Sequence, residues 1–284
     1  MIRVLYHGGC YDGFGAAWAA YQQFKDEAEY IPVYYGQSPP DDVRNFGGTL
    51  YILDFSYSPR ELETFKAEKI VVLDHHMSTM KDWAQHLGLD ETPESTLTWV
   101  DKSQLVYFDM NRSGAGIAWD YFQVAKPRPA LINYMEDRDL WRFKLPYTKE
   151  IFAWMQSWPM SFYRWDVCAQ MLDTQFERVL DQAMSIKRFK DAEVHKMVRE
   201  AELSTVCGRP LIPVVNASCF FSDVADELLK RHPEAPFVAY YFDRQDGNRQ
   251  WGLRSDDNRE DVSIIAKAYG GGGHRNAAGF IQTL

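Results

Sequence analysis

The stretch Lys69–His76 reads KIVVLDHH, and it decides the fold that this sequence predicts. Its apolar run is typical of a strand buried on both faces, and polar residues begin where the run ends. Similar short runs occur at RVLY (Arg3–Tyr6), IPVYY (Ile31–Tyr35) and TLYILDF (Thr49–Phe55). We therefore predict an α/β fold whose N-terminal sheet is mostly parallel and carries helices on both faces.

Helical segments separate these runs and then connect them to a second domain. Phe14–Phe24 and Ser58–Glu68 read as helices, and Asp166–Leu203 is a long helical stretch without proline or glycine. Strand-like runs return after Gly208, which indicates a smaller C-terminal α/β domain. The predicted domains are a catalytic domain (1–160), a helical connector (161–205) and a C-terminal substrate-binding domain (206–284).

Composition limits the classes of partner. The net charge is −9 and the pI is near 5.3, without a basic block, so long duplex nucleic acid is not an expected partner. The four cysteines form no C-x-x-C pair, which fits reduced thiols better than structural zinc or a disulfide framework. Because no segment has the length of a membrane span or a signal peptide, we expect a cytoplasmic protein without membrane contact.

Polar residues at the strand ends form the first candidate site. His7 follows RVLY, Asp54 ends YIL, Asp74-His75 ends IVVL, and Asp12 lies in the glycine-rich connector after the first strand. The carboxyl ends of parallel strands share one edge of a sheet, so these residues should converge. Aspartates at close range repel one another, and carboxylates with imidazoles suit Mn²⁺ or a similar divalent ion. A metal site is therefore predicted here.

The glycine run in GGGGHRNAAGF (Gly270–Phe280) forms the second candidate site. Glycines expose backbone N–H groups that can cradle oxyanions, and a histidine and an arginine can add charge-assisted hydrogen bonds to phosphate. The alternative is a flexible loop before a final strand. The substrate-binding residues predicted here are Gly272, Gly273, His274 and Arg275.

Three further residues are weaker candidates for contacts with phosphate. Arg254 and Ser255 lie in the strand before the glycine run, where an ordinary exposed turn is an almost equal interpretation. Arg112 lies at the start of a predicted helix, and helix N-termini attract anions. Ser113, beside it, has the alternative role of a simple helix cap.

With these motifs in place, the chain resembles the DHH phosphoesterase superfamily, in the branch that carries the DHH-associated C-terminal domain. This branch includes short-oligonucleotide phosphodiesterases of the nanoRNase type. The resemblance covers nearly the whole chain through HGGCYDG, LDF, DHH, EDRD and GGGGHRNAAGF, in this order. It implies a hydrolase with two metal ions, usually Mn²⁺, with Mg²⁺ or another divalent ion as the alternative.

The resemblance also implies roles for individual residues. Asp54 would bridge both ions, and His7 would bind the first. The ligands of the second ion would be Asp12, His75 and an aspartate of the EDRD segment, which we align to Asp137, with Asp139 as the second choice. The adjacent His76 and Asp74 are the predicted catalytic residues, with His76 beside the substrate.

One residue departs from the family pattern. The first motif of the family commonly carries two acids, whereas this sequence has Cys10 at the place of the first. Either the Cys10 thiolate binds the first ion or a water replaces the missing carboxylate. This departure leaves open whether one metal or two are bound.

The predicted activity is a phosphodiesterase that hydrolyses very short oligonucleotides or linear dinucleotides to mononucleotides. Three alternatives stand beside it: a phosphomonoesterase for a 3′,5′-bisphosphate nucleotide, a polyphosphate hydrolase and a non-catalytic nucleotide sensor. The expected partner is the short substrate itself, and the resemblance allows a homodimer.

Overall fold

The computed structural model of the chain describes residues 1–34, 37–90 and 92–284. It divides into two compact units, Met1–Ile186 and Lys187–Leu284. The boundary falls inside the segment 161–205, which the sequence analysis assigned to a helical connector.

The first unit is built on a six-stranded sheet in the order β2-β1-β3-β4-β6-β5. Neighbouring strands are parallel except at the edge, where β5 is antiparallel to β6. This confirms the mostly parallel sheet, although β5 and β6 were not foreseen, and Tyr35 of the predicted second strand lies outside the described residues. The strands are β1 (Ile2–His7), β2 (Ala28–Val33), β3 (Thr49–Leu53), β4 (Lys69–Asp74), β5 (Thr96–Val100) and β6 (Gln104–Asp109).

Helices cover both faces of this sheet, because alternate residues of each strand point to opposite sides. Leu53 and Leu73 belong to one buried cluster, whereas their neighbours Ile52 and Val72 belong to another. The helices of this unit, the last of which continues into the second unit, are α1 (Tyr11–Phe24), α2 (Asp41–Arg44), α3 (Pro59–Leu62), α4 (Met77–His86), α5 (Gly114–Phe122), α6 (Ala130–Asp139), α7 (Thr148–Gln156), α8 (Phe162–Thr174) and α9 (Phe176–Arg199).

Helix α3 is shorter than the predicted Ser58–Glu68 helix. It begins with a capping box in which Ser58 and Glu61 bond to each other's backbone amides. Beyond Leu62 the chain leaves the helix, and the Lys66 amide donates to the carbonyl of Arg44 instead. Pairing with a distant segment therefore replaces the last helical turn, which local propensity could not reveal.

The second unit, the smaller of the two, carries a mixed six-stranded sheet in the order β11-β12-β10-β9-β8-β7, which confirms the predicted C-terminal α/β unit. Its pairs are antiparallel except β8 with β9, which is parallel. The elements are β7 (Glu202–Val206), β8 (Arg209–Asn216), α10 (Phe221–Arg231), β9 (Val238–Asp243), β10 (Asn248–Arg254), α11 (Val262–Ala268), β11 (Gly272–His274) and β12 (Ala277–Thr283).

Within the described ranges, none of the helices combines the length and the apolar character that crossing a bilayer requires.

The central strand β3 should contribute strongly to stability through Ile52, which is fully buried. We expect Ile52→Ala to lower the free energy of unfolding by about 2–5 kcal/mol, because it removes buried methyl groups and leaves a cavity. Urea denaturation followed by circular dichroism measures this loss. Val100→Ala, on edge strand β5 at a residue that is 64% exposed, is the control and should change stability by about 0.5 kcal/mol or less. Equal losses in both variants would contradict the position of the core.

Candidate metal centre

The first candidate site lies at the carboxyl ends of β1, β3 and β4, which are neighbours in the sheet. His7 ends β1, Asp54 follows β3, and Asp74 ends β4. The Asp54 amide donates to the carbonyl of Leu73 at 2.9 Å, which ties the turn after β3 to the end of β4. Parallel pairing in register therefore brings these polar side chains to one edge.

Asp54 is the central residue of this edge. It is buried, and its Oδ1 and Oδ2 lie 3.1 Å from His75 Nε2 and 3.4 Å from His7 Nδ1. Its φ of 62° is in the left-handed region, which aspartate tolerates better than most residues but which still costs energy. The unusual backbone turns the carboxylate toward both histidines.

Asp12 and Asp139 complete a second group around His75. Asp12 Oδ2 and Asp139 Oδ2 each lie 3.6 Å from His75 Nε2. Asp12 is also fixed by the N-terminus of α5, since the amides of Gly114 and Ala115 donate to its oxygens at 2.6 and 3.0 Å. The helix thus supplies partial positive charge to a buried carboxylate.

The structure brings Asp139, and not Asp137, to this edge. The Asp137 carboxylate faces away from it and accepts hydrogen bonds from the amides of Lys144 and Leu145 and from the hydroxyl of Thr148. The sequence choice of Asp137 is therefore corrected to Asp139. The EDRD segment is the end of helix α6, and the sequence alone did not determine which of its aspartates faced the sheet.

Cys10 lies with the first group. One ligand atom each from His7, Cys10 and Asp54 all fall within 4.8 Å of one another, as do those of Asp12, His75 and Asp139. A third set with the same property combines Asp54 and His75 with His76. Two neighbouring triads, with Asp54 in one and in contact with His75 of the other, are thus available to cations.

Asp74 and His76 are arranged around one another. Asp74 Oδ1 lies 2.7 Å from His76 Nδ1 and accepts hydrogen bonds from the amides of His75 and His76. Asp74 is fully buried, and none of the three sets of possible ligands named above for the described residues includes it. Its geometry is that of a positioning residue, which orients both histidines, rather than of a residue that meets the substrate.

Electrostatics within this edge are unfavourable without a cation. Burial raises the pKa of Asp12, and the neighbouring charges of Asp139 and Asp54 raise it further. Burial alone would lower the pKa of His75, but contact with Asp54 and the charge of Asp139 raise it well above its usual value. Burial and the charge of Asp54 raise the pKa of the Cys10 thiol. A divalent ion would reverse this pattern for the carboxyl and thiol groups.

The donor set fits divalent metal ions. Among the described residues, the buried atoms His7 Nδ1, Asp54 Oδ1 and Asp74 Oδ2 form no hydrogen bond of good geometry, although the first two lie 3.4 Å and 3.1 Å from charged partners at the same edge. Buried polar atoms in native proteins are nearly always well paired, so three such atoms at one edge are consistent with a site for an ion. Carboxylate and imidazole donors suit Mn²⁺, whereas the Cys10 thiol would add affinity for softer metals.

Arg112 is part of an ion-pair network instead of an open anion site. Its guanidinium lies 2.8 Å from Asp109 and 2.7 Å from Asp120, and it donates to the Tyr107 hydroxyl at 2.6 Å. Arg128 binds the same Asp120. Arg112 therefore links β6 to α5 through ion pairs with Asp109 and Asp120. This geometry does not support a contact between Arg112 and substrate. Ser113 caps α5, as the alternative interpretation held.

In the second unit, Ser255 and Arg275 also have internal partners. Ser255 is buried and its amide donates to the carbonyl of Asn276, and its contact with substrate stays a prediction. Arg275 donates to the backbone carbonyls of Asp257 and Arg259. Arg254 is half-buried and donates to the carbonyl of Leu253, so its contact with phosphate stays a prediction.

The glycine run has a structural reason of its own. Gly273 has a φ of 140°, and a Cβ there would lie 2.5 Å from the carbonyl oxygen of Ala277. Glycine is therefore required for the close pairing of β11 with β12. His274, at the end of β11, is exposed, and the binding of an anion by His274, Gly272 and Gly273 stays a prediction.

Sequence reasoning did not identify Gly114 as a site residue. A Cβ at this position would lie 2.5 Å from Asp54 Oδ1, and its amide donates to Asp12. The signal was available in SGAG (Ser113–Gly116), because small residues at a helix start permit close approach to another group. Gly114 therefore shapes the site without offering a side chain.

Comparisons with known proteins do not assign the chain to a family. No protein-family model matches the chain. The chain is 29% identical over 300 residues to the uncharacterized protein R106 of Acanthamoeba polyphaga mimivirus, across 97% of this chain and 66% of that relative's length. This chain thus spans about two thirds of that relative's length.

Two solved structures align with this chain over nearly its whole length, at low sequence identity. RecJ from Thermus thermophilus, in complex with Mn²⁺, is 14% identical at a TM-score of 0.49, with 99% of this chain and 49% of RecJ covered. The pGpG-specific phosphodiesterase PggH from Vibrio cholerae is 12% identical at a TM-score of 0.44, with 100% of this chain and 93% of PggH covered. No family assignment follows from these values.

Gly114→Ala tests the close approach to Asp54. The added methyl group must displace the Asp54 carboxylate, so we expect Mn²⁺ affinity to fall about 10–100-fold, as when a supporting contact of a metal ligand is lost. Isothermal titration calorimetry measures the affinity. Gly47→Ala is the matched control, because no described atom lies within 4 Å of a Cβ built there. Equal affinity in the two variants would contradict this account of Gly114.

Cys10→Ser tests the thiol as a ligand. We expect affinity for Cd²⁺ to fall at least about 10-fold and affinity for Mn²⁺ to change much less, because thiolate favours soft metals. Competition titrations with a metal indicator measure both affinities. Cys219→Ser, at an exposed thiol in the second unit, is the control. A parallel loss for both metals, or none for Cd²⁺, would exclude Cys10 as a ligand.

Proposed function

We propose that the chain is a metal-dependent phosphoesterase of the DHH type, as its motifs suggest. One observation carries the proposal: two neighbouring donor triads, His7–Cys10–Asp54 and Asp12–His75–Asp139, meet where Asp54 lies 3.1 Å from His75. Paired divalent ions are a common device of enzymes that displace groups at phosphorus. The spacing of the two triads supports a two-ion centre in this chain.

The proposed ligands divide between the two ions. His7 and Cys10 would hold the first, Asp12, His75 and Asp139 the second, and Asp54 would lie between them. When bound, the ions would supply positive charge to phosphate oxygens and lower the pKa of a coordinated water. The protein's own contribution is to hold the donors in place, through the amides of α5 on Asp12 and the turn after β3 on Asp54.

His76 is the proposed catalytic residue. Its Nδ1 lies 2.7 Å from Asp74 Oδ1, which fixes the ring, and Nε2 is the nitrogen proposed to meet the substrate. A protonated Nε2 would donate a hydrogen bond to a phosphoryl oxygen or pass a proton to the leaving oxygen. Asp74 orients the ring through Nδ1, in the way that a buried carboxylate orients a catalytic histidine.

The proposed substrates are very short oligonucleotides or linear dinucleotides, cleaved to mononucleotides. The acidic charge of the chain does not favour long nucleic acid. The glycine run of the second unit, with His274, is the proposed substrate-binding segment of that unit. The proposed metal ion is Mn²⁺, and the proposed location is the cytoplasm. The family resemblance is also compatible with a homodimer.

The deciding experiment is a panel of dinucleotides, trinucleotides, longer oligonucleotides, a 3′,5′-bisphosphate nucleotide and tripolyphosphate, each incubated with the protein and Mn²⁺. Product analysis should show mononucleotides, with the highest rates for the shortest oligonucleotides. Release of inorganic phosphate from the bisphosphate or from tripolyphosphate alone would favour the alternative hydrolases. Binding without turnover of any substrate would favour a sensor.

Variants at two histidines separate chemistry from binding. We expect His75→Ala to lower kcat at least about 10³-fold, because it removes a ligand that also contacts Asp54, Asp12 and Asp139. His274→Ala should raise KM about 10-fold and leave kcat within about threefold, because it removes only a charge-assisted bond to substrate. Steady-state kinetics on a dinucleotide measures both.

The surface variant His232→Ala, in the second unit, is the control and should match the unaltered protein. Full activity in His75→Ala would overturn the proposed centre. A loss of kcat rather than a rise of KM in His274→Ala would overturn the binding role of the glycine run.

A further inference from the structure

An exposed aromatic loop follows the proposed ligand Asp139 directly. This aromatic loop, residues 140–147, connects helix α6 to α7 and carries Trp141, whose exposed fraction is 44%. Consecutive Cα atoms are about 3.8 Å apart, so the backbone of Trp141 is at most about 7–8 Å from that of Asp139. A tryptophan is thus held at the surface beside the candidate metal centre.

The loop is held in an uncommon conformation. Trp141, Phe143 and Tyr147 have φ values of 55°, 50° and 63°, in the left-handed region that bulky side chains rarely adopt. The Asp137 carboxylate holds the loop through the amides of Lys144 and Leu145. Strained backbone that is over-determined by its surroundings concentrates at functional sites and ligand clamps.

The Trp141 ring is fixed by its neighbours. The guanidinium of Arg138 lies 4.2 Å from the centre of this ring and 4.9 Å from that of Phe152. The Phe143 ring meets Trp141 edge-on, with ring centres 4.9 Å apart. Because the ring is already ordered, a ligand that stacked on it would lose little side-chain entropy. The nearby guanidinium adds positive charge that suits an anionic ligand.

We propose that Trp141 stacks a nucleobase of the substrate on the ring face opposite the Arg138 guanidinium. Every base has a planar π-face, and exposed aromatic rings beside arginine are the usual partners of single-stranded bases. A base is joined to its phosphate through one sugar, which matches a tryptophan two residues from a proposed ligand of the phosphate-binding metal. Inorganic polyphosphate has no planar group to place there.

This inference rests on the proposed phosphoesterase function, and it narrows the substrate to nucleotides. It also gives Asp137, which is not a proposed metal ligand, the role of holding the aromatic loop in place. Trp141 is a specificity residue in this account and takes no part in bond breaking.

A matched pair of ligands tests the stacking. AMP and ribose 5-phosphate share the sugar and the phosphate, and only AMP carries a base. Calorimetry with the Mn²⁺-loaded protein should give at least roughly 10-fold tighter binding for AMP, as one stacked base provides. In Trp141→Ala this ratio should fall to about 1, and in Trp141→Phe most of it should remain. Tyr163→Ala, at a residue of α8 that is 75% exposed, is the control and should keep the full ratio.

The ratio decides the outcome even where Trp141→Ala disturbs Asp139, because a loss at the metal centre weakens both ligands equally. A ratio near 1 in the unaltered protein, or an unchanged ratio in Trp141→Ala, overturns the inference. Hydrolysis of a dinucleotide, measured alongside, tests the proposed function separately. Hydrolysis of the dinucleotide together with an affinity ratio near 1 would contradict the stacking and leave the proposed function intact. An affinity ratio of about 10 or more without hydrolysis of the dinucleotide would support the stacking and contradict the proposed phosphodiesterase activity.

Discussion

Repulsion among three carboxylates is the constraint on which the candidate site depends. Asp12, Asp54 and Asp139 all surround the single imidazole of His75, and the first two are almost fully buried. Gathering such charges in a low-dielectric setting is costly unless opposite charge is present. The imidazoles and the α5 amides offset part of that cost, and a divalent ion is the partner that would offset the remainder. Helices α5 and α6 both reach this edge, α5 through its amides on Asp12 and α6 through Asp139 at its end.

The parts of the fold that the sequence predicted are those with a strong periodic signal. The apolar runs of β1, β3 and β4 were readable because each is buried on both faces, and the polar residue that ends each run marked the edge of the sheet. Strand β5 was missed because its buried and exposed residues do not form such a run. Strand β6 does carry one, LVYF ended by Asp109, and the sequence analysis did not use it. Helix α3 ended early because a tertiary contact replaced its last turn. Local sequence patterns therefore predicted some elements of this unit and not others.

The site shows a similar division. His7, Asp12, Asp54 and His75 could be named because each follows a recognisable strand or glycine turn. The choice between Asp137 and Asp139 could not, because two residues apart on a helix point to different sides, and one of them was needed to hold the following loop. Arg112 shows a related limit, because its partners Asp109, Asp120 and Tyr107 were not readable from the sequence. A charged or polar residue beside a glycine or a helix start attracts a functional interpretation, but only the structure reveals its internal partners.

The contact between Asp12 and the start of α5 joins groups 102 residues apart in the chain. During synthesis on the ribosome, Asp12 emerges long before Gly114, and Asp139 emerges later still. The first strands can pair while the edge of the sheet still lacks half of its donors. The proposed metal centre is therefore complete only after residue 139 has been synthesised, and a nascent chain that stalls earlier would lack the Asp139 carboxylate.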